Sequence, residues 1–256
     1  MMTKMMPKLQ PGPEMDKLTR IRQPKAKTLI VPDVHERIGT LRRILANLAG
    51  PDTPVVFLGD WFDSFDGVAS SMAETIGWLN DNTCNPLFTF LWGNHDLHYA
   101  YQMDGLRCSG YSGERDRMIR AAGVDFGRFQ FSVVVDGWLC THAGVHPSLL
   151  PALRPGRDAA RLHEQILAAT AHPWVTVPPI LQAGYTRGGR QPVGGITWLD
   201  WEAEFEPIPG IFQIVGHSEG DHPREKISPD SRSICIDARL RSCLWIDDGD
   251  VEYCLS

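Results

Sequence analysis

Residues 55–63 read VVFLGDWFD: an apolar run from Val55 to Leu58 stops at Gly59 and is followed at once by Asp60, Trp61, Phe62 and Asp63. The run has the length and β-branched character of a buried strand, and a glycine at its end marks a turn. The same order of residue types recurs on both sides. Upstream, residues 28–35 read TLIVPDVH, so Asp33 and His35 follow the strand-like Thr28–Val31. Downstream, residues 87–96 read LFTFLWGNHD and end in Asn94, His95 and Asp96. Between the runs, Ile38, Leu41, Ile44, Leu45 and Leu48 recur at helical spacing, and Met72–Leu79 reads as a second helix. Alternating strands and helices predict a parallel sheet built from βαβ units. Ligands of such sheets gather outside the carboxyl ends of the strands, where all three polar clusters fall.

The second half of the chain changes character. Phe129–Val135 and Trp138–Cys140 flank Asp136-Gly137, a two-residue hairpin signal. Leu244–Ile246 and Val251–Cys254 flank a turn containing Asp248-Gly249. Ile211–Val215 and Ile234–Ile236 read as further strands and Asp158–Ala169 as a helix. The stretch from His172 to Gly195 is rich in proline and glycine and reads as a long loop, as does Gly105–Arg117. The expected fold is α/β: two packed sheets, one largely parallel and one richer in antiparallel pairs, with helices outside. Residues 1–26 read as a loosely ordered lead-in and 27–256 as a single domain.

Of 256 residues, 43% are hydrophobic, enough for a sizeable core, and the formal net charge of -6 argues against a broad nucleic-acid surface. A small cationic pocket for one phosphate remains compatible with that charge. No apolar run has the length of a membrane span, and the N-terminal stretch lacks the apolar centre of a secretion signal. The six cysteines, Cys84, Cys108, Cys140, Cys235, Cys243 and Cys254, form no Cys-x-x-Cys pair. They read as free thiols of a reducing, cytoplasmic location.

Carboxylate, imidazole and amide side chains at successive strand ends suit divalent cations. Thr141-His142-Ala143-Gly144 and Gly216-His217-Ser218 follow two later apolar runs and extend the set. Asp33, His35 and Asp60 are expected to hold one metal. Asn94, His142 and His217 are expected to hold a second, with Asp60 bridging. Two metals about 3.5–4 Å apart activate a water and offset charge developing on a phosphoryl group. His95 is the candidate general acid, oriented and charged by Asp63. His98 reads as a surface histidine. Trp61, Trp92 and Trp198 adjoin these clusters, and core packing is the expectation for each.

Taken together, Asp33-x-His35, Gly59-Asp60-x-x-Asp63, Gly93-Asn94-His95-Asp96, His142 and Gly216-His217 resemble the five motifs of the calcineurin-like metallophosphoesterase superfamily. The resemblance runs over nearly the whole chain. It lies nearest in look to the phage and bacterial serine/threonine protein phosphatases and the diadenosine tetraphosphatases. It implies a four-layer α/β/β/α sandwich of two mixed sheets flanked by helices. It also implies a dinuclear site with manganese as the first expectation and iron or zinc as alternatives. The implied activity is hydrolysis of a phosphomonoester, a nucleotide or another small phosphorylated substrate. Phosphodiester or dinucleoside polyphosphate hydrolysis, protein serine/threonine phosphatase activity and a non-catalytic scaffold are the alternatives. Two arginines usual in that branch are absent: Ser64 and Trp92 stand in their places. Arg37, Arg187 and Arg190 are the candidate replacements for gripping phosphate. Glu219 stands where the wider superfamily often has a second histidine, and it is a candidate further metal ligand.

Overall fold

The computed structural model describes residues 26–64, 71–149 and 158–255. The lead-in read over residues 1–26 lies, except for its last residue, outside the described residues. The elements in chain order are β1 (Thr28–Val31), α1 (Ile38–Leu48), β2 (Val55–Phe57), α2 (Ser71–Asn82), β3 (Phe88–Leu91) and α3 (Asn94–Ala100). They continue with α4 (Gly113–Ala122), β4 (Phe129–Gln130), β5 (Val133–Val135), β6 (Trp138–Cys140) and α5 (Ala159–Ala169). The last five are β7 (Phe212–Val215), β8 (Arg224–Ser228), β9 (Ser231–Cys235), β10 (Ser242–Asp247) and β11 (Asp250–Leu255).

Two mixed sheets result. One has the order β11-β10-β1-β2-β3-β4, and the other β5-β6-β7-β9-β8. In the first, β1 to β4 run parallel, and the closing hairpin β10–β11 adds antiparallel to β1. In the second, β6, β7 and β9 are parallel and the two edge strands antiparallel. Strand alternation sorts the side chains into layers. Ile30, Val56, Leu58, Leu91, Leu244 and Ile246 face Trp138, Cys140, Ile214, Ile234 and Ile236 between the sheets. Leu29, Val31, Val55, Phe57 and Phe90 point the other way, onto Ile38, Leu41 and Ile44 of α1 and Met72, Ile76 and Trp78 of α2. Helix α5 contacts β5 and β6, which completes the α/β/β/α layering. Each fully buried aliphatic or aromatic side chain contributes about 1.5–3 kcal/mol, so both interfaces hold the strand ends rigidly in place.

Three differences from the sequence reading have local causes. The run Phe129–Val135 is divided: β4 pairs with β3, whereas β5 pairs with β6 in the other sheet, so the chain crosses layers at Phe131-Ser132. Helix α4 begins inside the stretch expected to be loop and runs past its end. Ser112 caps it by accepting from Arg115 N (3.1 Å), and Gly123 ends it at φ 66°. Ile119 is its one buried residue, so almost no periodicity advertises it. Strand β8 (REKIS) is an edge with little apolar content, and the sequence reading missed it for the same reason. The Asp136-Gly137 and Asp248-Gly249 turns are as expected, with both residues of each at positive φ.

Candidate active site

The loops after β1, β2, β3, β6 and β7 meet at one sheet edge and are built around each other's backbone. Val34 N and His35 N both donate to Asp60 O, at 3.1 and 2.7 Å. Asp96 accepts from Gly93 N (3.0 Å), Asp60 N (2.9 Å) and Trp61 N (2.8 Å), which locks the second and third loops together. Gly216 N donates to His142 O at 2.7 Å and joins the last two. His35, Asp60, Asp63 and His217 all have positive φ, between 42° and 65°. Backbone of that kind is uncommon outside glycine, costs about 1–3 kcal/mol, and persists where surroundings over-determine it. Gly93 is required for the closeness of the loops, because a Cβ there would lie 2.0 Å from Asp60 Oδ1.

The donor atoms form two groups that share a member. Asp33, His35 and Asp60 bring ligand atoms within 4.8 Å of one another, and so do Asp60, His142 and His217. His95 N occupies Asp60 Oδ1 at 2.9 Å, which leaves Oδ2 facing His35 Nε2 (3.6 Å) and His142 Nε2 (3.3 Å). Tautomers follow from the carbonyls. His35 Nδ1 lies 2.9 Å from Phe62 O, and His142 Nδ1 lies 2.9 Å from Leu58 O. A carbonyl only accepts, so those nitrogens carry a proton, and each Nε2 is the atom that a cation would take in place of its proton.

This arrangement fits a divalent cation. His142 Nε2 faces Asn94 Oδ1 at 3.1 Å, His217 Nδ1 at 3.2 Å and Asp60 Oδ2 at 3.3 Å. One proton satisfies a single such contact, whereas a cation satisfies all four donors together. Asp33 accepts the His217 backbone N–H on both oxygens, at 3.0 and 3.1 Å, and this ties the first group to the second. Burial pushes the Asp33 carboxyl up, with the Asp237 charge adding to it. Burial acts the same way on Asp60, yet the His142 and His95 charges hold it well below the usual range. His142 is raised to about 9: burial opposes the shift, but Asp60 and Asp33 outweigh it. Burial, His142 and Arg187 keep His217 well below 6.5, hence neutral.

Beside these groups, His95 Nδ1 lies 2.9 Å from Asp63 Oδ2. Tyr99 OH donates to Asp63 Oδ1 at 2.6 Å, and Arg115 Nη1 stands 3.5 Å from the same oxygen. Glu36 accepts from Asp63 N at 3.1 Å and pairs with Arg115. His98 is a correction to the sequence reading. It is buried, not on the surface, and its Nε2 lies 2.9 Å from Asp63 Oδ2, off the line of a good hydrogen bond. As residue i+3 after His95 on α3, it shares that histidine's helix face. Burial pushes the Asp63 carboxyl up, but the His95 and Tyr99 hydrogen bonds and the nearby His98 imidazole prevail and hold it at about 2.

A cavity of about 450 Å³ covers the two groups, with Arg37, Arg187, Trp198 and Glu219 in its wall. Arg187 pairs with Asp200 (2.9 Å) and donates to Ser218 Oγ (3.1 Å). Arg190 is not in that wall and lines a neighbouring cavity of about 1000 Å³, between residues 102–109 and 175–190. Glu219 pairs with Arg239 at 2.5 Å and belongs to neither donor group. Trp61 and Trp92 are core residues, as expected, while Trp198 walls both cavities. The sequence reading assigned no role to Asp96, Glu36, Tyr99, Arg115 or Asp237. Two of them carried a signal: Asp96 by its place directly after Asn94-His95, and Asp237 by its place directly after the strand-like Ile234–Ile236.

Residues 26–218 match the family model described as calcineurin-like phosphoesterase. A cold-active protein-tyrosine phosphatase of a psychrophile Shewanella species is 15% identical over 89% of this chain and 80% of that one, with a TM-score of 0.53. A protein serine/threonine phosphatase from Saccharomyces cerevisiae is 12% identical over 92% and 82%, with a TM-score of 0.51. A putative diadenosine tetraphosphatase is 16% identical over 90% and 94%, with a TM-score of 0.46. At these identities the likeness concerns the fold. No curated protein sequence matches the chain.

Proposed function

The chain belongs to the calcineurin-like phosphoesterase family and is thus a hydrolase of phosphate esters, and on that premise we propose that it cleaves phosphomonoesters of small molecules with a dinuclear metal site. The observation that carries this reading is the position of Asp60, whose carboxylate belongs to both donor groups. Asp33, His35 and Asp60 would hold one cation, and Asp60, Asn94, His142 and His217 the other. Two divalent cations supply Lewis acidity and bring the pKa of water toward neutrality. Manganese is the first candidate, and oxygen and nitrogen donors accept several ions.

The protein's own residues do the rest. His95, charged by its carboxylate neighbours, protonates the departing alkoxide oxygen. Asp63 fixes the ring and stabilises the imidazolium, and Tyr99 and Arg115 hold Asp63. The charged residues lining the smaller cavity are Arg37, Arg187, Arg224 and Arg239 against Asp60, Asp200, Glu202, Glu219 and Asp237. With His95 charged as well, that balance is even without cations and turns positive with two divalent ones, which favours a dianionic monoester over a monoanionic diester. Arg187, in the wall of both cavities, is the candidate phosphate grip. The neighbouring larger cavity supports a second reading, in which a longer phosphorylated chain or dinucleoside polyphosphate extends between the two loops.

Purified protein given manganese should hydrolyse p-nitrophenyl phosphate much faster than bis(p-nitrophenyl) phosphate. Reversal of that preference selects the diesterase. Two bound metal equivalents with no turnover of either compound would leave the scaffold reading standing.

A further inference from the structure

A third donor cluster stands beside α3; it shares no residue with the two groups around Asp60 but adjoins them, with Cys108 Sγ 3.8 Å from Asn94 Nδ2. Cys108 Sγ is 3.3 Å from His98 Nδ1 and 3.7 Å from His95 Nδ1. Ligand atoms of the three residues lie within 4.8 Å of one another. Tetrahedral zinc, with Zn–S about 2.3 Å and Zn–N about 2.0–2.1 Å, holds such atoms about 3.3–3.6 Å apart. The spacing therefore needs little adjustment to receive one ion. We propose that His95, His98 and Cys108 form a zinc site distinct from the dinuclear one, and that zinc there inhibits the enzyme.

Three further observations support it. His98 has part of the environment of a metal-bound histidine: Nδ1 faces the sulfur, and a carboxylate, that of Asp63, stands 2.9 Å from the other ring nitrogen. Its ring is held edge-on by Tyr99 and Tyr111, with centroids 4.2 and 5.2 Å away, so its direction is fixed. Cys108 lines the larger cavity, which gives an ion a way in that bypasses the dinuclear groups. Selectivity follows from the ligands. A thiolate with two imidazoles suits zinc, and the groups around Asp60 offer only oxygen and nitrogen, which suit manganese equally well.

The inhibition has a geometric cause. The His95 atom that zinc would take, Nδ1, is the one that now meets Asp63 Oδ2. Occupancy replaces that contact and separates the imidazole from its carboxylate. Zinc binding stands on this geometry alone, whereas loss of turnover rests also on the role proposed for His95.

The test uses the full chain loaded with manganese. Zinc X-ray absorption on that protein is expected to contain one sulfur neighbour at about 2.3 Å. Cys108→Ser removes the sulfur neighbour. It also raises the zinc concentration giving half-inhibition, relative to that variant's own manganese-supported rate, by about tenfold or more, and His98→Gln raises it similarly. Absence of a sulfur neighbour in the unaltered protein overturns the site, with no variant needed. Its persistence in Cys108→Ser, or an unchanged zinc midpoint in both variants, overturns it too. A phosphatase inactive on every ester that nonetheless binds zinc through sulfur refutes the proposed activity and leaves the site intact.

Discussion

Nδ1 of His95 lies 2.9 Å from Oδ2 of Asp63, and both residues are buried. A buried imidazole–carboxylate pair next to a cation-binding cluster is a poor structural bargain, since desolvating both groups offsets much of their attraction. It makes chemical sense when one member must carry a proton to a leaving group.

His95→Ala is therefore expected to lower kcat for p-nitrophenyl phosphate by about 10²–10⁴-fold, the range typical of general acids. Bound metal, measured by elemental analysis, should stay at the unaltered level, because His95 contributes to neither group around Asp60. Metal loss in this variant would move His95 from acid to ligand.

The same pair sets a pH dependence. Burial presses His95 toward its neutral form, but the Asp60 charge and the Asp63 hydrogen bond hold its pKa well above 6.5. With a raised folded-state pKa, the stabilisation from protonated His95 is complete below pH 6.5 and is lost as pH climbs through the folded value. Asp63, held at about 2, stays ionised throughout that range. Asp63→Asn keeps the shape and removes the charge. The alkaline limb of the kcat profile should then move down by about 1–3 pH units. A limb that stays in place belongs to some other group.

Asp60 has consequences that no other ligand shares. It is the one residue present in both donor groups, so Asp60→Asn should empty both positions, while His35→Ala should weaken one. Equilibrium dialysis with manganese distinguishes them: close to no bound metal in the first, close to one equivalent in the second. Two retained equivalents in Asp60→Asn would end the bridging assignment.

How far these residues could be found from sequence depended on whether their chemistry was carried by local order. Asp33, His35, Asp60, Asn94, His142 and His217 each follow an apolar run, and strand polarity alone sends them to one edge. Most strands were legible for the same reason, down to the Asp136-Gly137 and Asp248-Gly249 hairpins, but the polar edge strand β8 was not. Arg115 was not, because it sits on a polar helix with one buried residue and reaches Glu36 from 79 positions away. His98 was misjudged because seven residues of α3 are too few to display a periodicity, although its side chain is fully enclosed. Sequence order also could not say that Phe129 and Val133 belong to different sheets, since nothing between them marks the crossing.

Arg187 reaches both cavities and is tied to Asp200 and Ser218 without being buried. If it grips phosphate in ground and transition state alike, Arg187→Ala should raise KM with kcat little changed. Hydrogen bonds to charged groups are worth about 1.5–3 kcal/mol, so the expected rise is about tenfold or more. Steady-state kinetics in which kcat alone falls would place the arginine in transition-state stabilisation instead.

Asp96 tests whether the loops, and not only the ligands, make the site. Its two oxygens accept from Gly93 N, Asp60 N and Trp61 N, and it is fully buried. Burial and the Asp60 charge push its pKa up to about 7, against the Gly93 and Trp61 backbone donors that favour the ionised form. In Asp96→Asn one oxygen becomes an N–H₂ group that must face a backbone N–H. A buried donor left unsatisfied costs about 1–3 kcal/mol, and the Asp60 loop loses an anchor. The melting temperature should fall by several degrees. Manganese affinity should fall as well, although Asp96 belongs to neither donor group around Asp60. Unchanged metal affinity at a lowered melting temperature would confine Asp96 to stability and separate the loop brace from the cation site.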